Sequence, residues 1–187
     1  MADTEDLSLE ETVAFLTDRA HARFGKIPTK LIVDQVLRVT EGTDFPVRRA
    51  AIEALERRLD NTKREGLHVV SMPDASPWGQ YQVARIAESG TGRRARESRP
   101  YLTEFSQIEP LSMSCGCPDF LKGSLGLCKH TLAVLLHVYS SPKRAARLSK
   151  RGVSAKPTTS SRLCWDPIWP FVDAVDRLAG LHWQGQV

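Results

Sequence analysis

Three of the chain's four cysteines and one of its five histidines fall within residues 114–130, SCGCPDFLKGSLGLCKH. They form two tight pairs, Cys115-Gly-Cys117 and Cys128-Lys-His130. Thiolates and an imidazole in such pairs suit three chemistries: a disulfide, a reactive thiol, or the soft ligand set of a metal. A disulfide within Cys115-Gly-Cys117 would close a strained small ring. A nucleophile–base pair at Cys128 and His130 has awkward i, i+2 spacing and no evident third group to orient it. Two pairs of ligands from two local elements are what a structural zinc site uses, so the spacing favours zinc. Four protein ligands leave no open position for an activated water, which makes the expected ion structural. Three thiolates, a neutral imidazole and Zn²⁺ sum to −1, with Lys122 and Lys129 close enough in sequence to offset part of it.

The ligands require converging elements. Gly116 and Pro118 favour a turn at the first pair. KHTLAVLLHVY reads as an apolar helix running to about Ser140, and its positive N-terminal end would help stabilise thiolates at the second pair. The ten intervening residues include Gly123 and Gly126 and suffice to return the chain.

Ahead of this region, three helices are expected. Ser8 and Glu11 form a capping box, followed by a stripe of Leu9, Val13, Leu16 and Ala20 that stops at Gly25. A second helix starts at Thr29 and carries Ile32, Val36 and Val39. The third has Asp44 as N-cap, Pro46 in its first turn, and a stripe of Val47, Ala51, Leu55 and Leu59 before Gly66. From Gly66 onward the pattern turns to strands: LHVVSM (67–72), YQVARI (81–86) and one within YLTEFSQI (101–108). The basic GTGRRARESRP reads as a hairpin tip. The expected fold class is α+β, a helical unit followed by a small antiparallel sheet and helix. The divisions are 1–66 (helical), 67–140 (zinc unit), 141–162 (basic linker or frayed helix) and 163–187 (aromatic tail, with a short helix over 171–178).

Charge is uneven. Residues 1–66 carry 11 basic and 13 acidic side chains, while 67–187 carry 15 and 9, within a total of +4. Arg93, Arg94, Arg96 and Arg99 form one cluster; Lys143, Arg144 and Arg147 open a second, over 141–162, that has no acidic residue. Such clusters suit a polyanion, because neutralising phosphates releases condensed counterions. The acidic N-terminus lacks the marks of a signal peptide, and no apolar run is long enough to span a bilayer. The expected setting is the cytoplasm, where clustered cysteines stay reduced.

The order Cys-x-Cys, spacer, Cys-x-His closely resembles the SWIM-type zinc finger, with Cys-Pro-Asp-Phe at the first pair and Cys-Lys-His-Thr-Leu-Ala-Val at the second. The resemblance covers roughly residues 67–140. It implies a ββα unit holding one Zn²⁺ through Cys115, Cys117, Cys128 and His130, and a role in contacting DNA or other proteins. Similar fingers occur in bacterial helicase-like ATPases of the Swi/Snf type, and the helical N-terminus and WDPIWP tail also resemble the leading region of such an ATPase. GTGRR at 90–94 is no phosphate loop, lacking both the spacing and the lysine. The chain is therefore expected to be a non-enzymatic module that binds nucleic acid, DNA before RNA. The alternative is a protein-interaction adaptor for a helicase-like ATPase. Of the remaining residues, His137 reads as structural rather than a spare ligand, Cys164 as a small hydrophobe, and Trp165 and Trp169 as packing groups. Asp119 is expected to hydrogen-bond either the ligand loop or a group behind the ligands.

Overall fold

The computed structural model describes residues 7–74, 76–85 and 99–150, with 149 and 150 described by backbone alone. Helix α1 (Leu9–Phe24) starts at the expected capping box, in which Glu11 Oε2 accepts from the Ser8 N–H at 2.9 Å and Ser8 Oγ accepts from the Glu11 N–H at 3.3 Å. It ends at Gly25, whose φ of 61° is the left-handed region that glycine enters without a steric penalty. The buried stripe differs from expectation: Thr12, Leu16, Ala20 and Phe24 face inward, and Leu9 is 63% exposed. Phe24 extends the stripe at the C-terminal end of the helix, while Leu9, the first residue of α1 and on the same face by helical spacing, is left in solvent.

Helix α2 (Thr29–Val39) buries Ile32, Val36 and Val39 as read, together with Leu31, Val33 and Gln35. Helix α3 (Phe45–Arg64) has Asp44 as its N-cap, accepting from the Val47 N–H, and buries Ala51, Ile52, Leu55 and Leu59.

Four antiparallel strands follow in the order of the chain: β1 (Leu67–Ser71), β2 (Gly79–Arg85), β3 (Tyr101–Ile108) and β4 (Leu111–Cys115). Three match the strands read from β-forming residues. The fourth, LSMSC, is short and two of its five residues are serine, so its pattern alone carries too little β signal. Val83 pairs with Tyr101 across β2 and β3, and Thr103 pairs with Cys115 across β3 and β4. The chain then forms a single short turn of helix, α4 (Pro118–Lys122), and the apolar α5 (Lys129–Tyr139). The fold class is the expected α+β.

Helix α5 packs against α3 and against all four strands. One apolar cluster joins Leu16, Phe24, Ile32, Val36, Ile52 and Leu55 of the helices to Tyr81, Val83 and Phe105 of the sheet and Leu132, Leu135 and Val138 of α5. Polar contacts reinforce the junction: Gln35 donates to the Leu125 carbonyl at 2.7 Å and Arg38 to the Leu111 carbonyl at 2.7 Å.

Within the basic stretch read as linker or frayed helix, residues Pro142–Lys150 form α6, which buries Leu148 in the same core. The expected hairpin tip, apart from Arg99 and Pro100, lies outside the described residues, as does everything expected beyond 150. Among the described residues no helix is long and apolar enough to cross a membrane.

Candidate metal centre

Each ligand takes its position from a different local device. Cys115 is the last residue of β4. Cys117 is the N-cap of α4, its Sγ accepting from the Phe120 N–H at 3.3 Å, with Pro118 opening the helix where a missing N–H costs little. Cys128 is the N-cap of α5, and its own N–H donates to Thr131 Oγ1 at 2.8 Å. His130 lies in the first turn of that helix. The four ligand atoms all lie within 4.8 Å of one another, and every one of these residues is buried.

His130 turns Nδ1 toward the sulfurs, 3.8 Å from Cys115 Sγ and 3.9 Å from Cys128 Sγ. A tetrahedral zinc with ordinary Zn–S and Zn–N bonds separates its ligand atoms by roughly 3.5–3.8 Å. The donor set and these separations fit one structural zinc ion, with Nδ1 as the imidazole ligand.

Burial pushes the Cys128 thiol well above its usual range, while hydrogen bonds from the Cys117 and Cys128 side chains pull the Cys115 thiol down. Three sulfurs in contact cannot all carry charge without a cation among them, so the cluster is arranged for a metal rather than for a lone nucleophile.

The groups around the ligands were not legible from spacing. Thr103 Oγ1 donates to Cys115 Sγ at 3.5 Å from the neighbouring strand, and the Tyr101 ring lies against His130 with centroids 4.4 Å apart. Only the β3–β4 register brings these residues to the site. Phe120 packs among the cysteines.

Two charged residues beside the ligands take partners from α3 or its end. Asp119 does not bond the ligand loop but forms a two-pronged ion pair with Arg58 of α3, at 3.0 and 3.2 Å. Lys129, expected to offset part of the site's charge, bonds Glu65 at 2.8 Å to each oxygen. The Thr103 hydroxyl, the Phe120 N–H and the N-terminus of α5 also temper the negative cluster. Gly123 completes the loop: a Cβ there would stand 2.5 Å from the Asp119 carbonyl oxygen.

His137 lies away from the four ligands, with Nε2 3.3 Å from Met72 Sδ. Desolvation, and then the Arg144 charge, lower its pKa.

Of the basic residues read as nucleic-acid contacts, Arg99, Lys143 and Arg147 are exposed. Arg144 is turned inward instead, donating to the His137 carbonyl at 2.8 Å from Nη2 and 3.2 Å from Nε, where it satisfies the end of α5. Arg93, Arg94 and Arg96 lie outside the described residues, as do Cys164, Trp165 and Trp169.

Fold and site together define a zinc-binding α+β protein whose metal is held by a Cys₃His set. Residues 109–139 match the family model described as SWIM zinc finger, a span that contains both ligand pairs. No curated protein and no solved structure matches the chain.

Proposed function

We propose that the chain is a nucleic-acid-binding module, acting on DNA before RNA, in which zinc is structural and no catalysis takes place. The observation that carries this reading is the separation of metal from solvent. All four ligands are protein side chains, and all are buried. A saturated, enclosed zinc has no position for substrate or activated water, so contact with a partner falls to the surface. That surface presents Arg99, Lys143 and Arg147, and the sequence adds Arg93, Arg94 and Arg96 immediately before Arg99. A reducing compartment such as the cytoplasm is the setting in which these thiols stay available to metal.

DNA binding measured against salt tests the proposal. Replacing Arg99, Lys143 and Arg147 with glutamine is expected to weaken binding and to flatten the salt dependence by about one unit of slope per lost phosphate contact. Absence of DNA and RNA binding at low salt would refute it.

A second reading, an adaptor for a protein such as a helicase-like ATPase, is favoured by one feature. β1 is an edge strand, and Val70 on it and Met72 just beyond it are 48% and 44% exposed. An edge of this kind accepts a strand from a partner.

A further inference from the structure

At one end of the sheet, His130 lies against an aromatic ring that stays partly exposed. Tyr101 lies on the imidazole at 4.4 Å between centroids and is still 38% exposed; Leu102, next to it, is 50% exposed. The ring is held on a side chain that the metal would itself hold, so little conformational freedom remains to be lost on contact.

The rim of this platform is basic. Arg99 is exposed two residues before Tyr101, and Arg85 lies two residues beyond Val83, the cross-strand partner of Tyr101. Thr62 Oγ1 donates to the Lys129 carbonyl at 2.9 Å, which seats the end of α3 beside His130 and carries the exposed Lys63 and Arg64 with it. Glu65 is the carboxylate bonded into this group, and it is shared between Arg85 and Lys129. Basic groups therefore outnumber it several-fold.

We infer that this end of the sheet binds single-stranded DNA, with an unpaired base stacked on Tyr101 and the flanking phosphates met by Lys63, Arg64, Arg85 and Arg99. The inference rests on the nucleic-acid reading above and narrows it. An exposed aromatic face ringed by cations is what a single strand uses, because every base has a π-face to stack and a duplex keeps its faces occupied. Lys63, Arg64 and Arg85 stand outside the two basic runs of the sequence, and only the fold brings them to this end of the sheet.

The test uses the zinc-loaded full chain and one mixed-sequence oligonucleotide, single-stranded and as its duplex, in anisotropy titrations at low salt. The single strand is expected to bind more tightly. Tyr101→Phe should bind within about two-fold of the parent, and Tyr101→Ala about ten-fold more weakly with its zinc content unchanged. Lys63→Gln with Arg64→Gln should lower the salt slope by roughly 1.4, the single-strand value for two phosphates. If alanine releases the zinc, Tyr101→Leu against Tyr101→Phe decides the matter, since leucine covers His130 but offers no π-face. Tighter binding of the duplex, or unchanged affinity in the variant without the ring, overturns the inference and leaves the nucleic-acid reading standing. Failure of both oligonucleotides to bind overturns the two together.

Discussion

Thr103 shows how much of the metal centre lies beyond its ligands. Its hydroxyl donates to Cys115 Sγ and is wholly buried, so it spreads charge from a thiolate that has no solvent to do so. Partners of this kind commonly account for about 10–100-fold in metal affinity. Thr103→Val keeps the shape and removes the donor. It is expected to release zinc about ten-fold faster to a competing chelator, followed by a chromogenic dye, whereas Thr103→Ser should behave as the parent. Equal release from the valine variant would assign Thr103 to packing alone.

Elements meet at Glu65, the C-cap of α3, which binds Arg85 of β2 and Lys129 of α5 at once. Burial raises the pKa of its carboxyl, but the hydrogen bonds from Lys129 and Arg85 outweigh this and hold it below its usual range. A carboxyl whose pKa is lower folded than unfolded contributes stability that is present above the unfolded value and is lost as pH falls through the folded one. Glu65→Gln should therefore cost about 1 kcal/mol near neutral pH, since the group is largely but not wholly shielded. The deficit should shrink as the parent is titrated below about pH 4. Urea denaturation across that range measures it, and a deficit independent of pH would show that the carboxylate's charge is not the cause. Asp119 with Arg58 makes a comparable tie between α3 and α4, so ion pairs as well as the Gln35 and Thr62 hydrogen bonds join the helical region to the ligand loop.

On the scale of the whole molecule, zinc and the apolar core carry different parts of the fold. The cysteines and Phe120 form a cluster apart from the main one, which joins α1, α2, α3, the sheet, α5 and α6. A small zinc unit standing alone would depend on its metal for most of its folding free energy. Here the strands and α5 share a core with three helices. Chelation is expected to raise hydrogen exchange sharply over 115–128 while α1, α3 and β2 keep their protection. Loss of protection throughout the chain would mean that the metal supports the whole fold.

Spacing and local pattern were enough to identify both ligand pairs, the caps of α1 and α3, three of the strands and α5. Those features depend on neighbours a few residues apart, and helix periodicity, capping and ligand chemistry act over that range. The exposure of Leu9 at the start of α1, strand β4, the contact of Thr103 and Tyr101 with the ligands, and the inward turn of Arg144 had no such signal. Each depends on partners distant in the chain: which turns of α1 the shared core reaches, β3 in register with β4, or a helix end needing a donor. Register and packing decide which side chains meet, and they are settled only when the sheet and helices close on one another. The metal is therefore legible from seventeen consecutive residues. The surface around it, where function is sought, exists only in the folded chain.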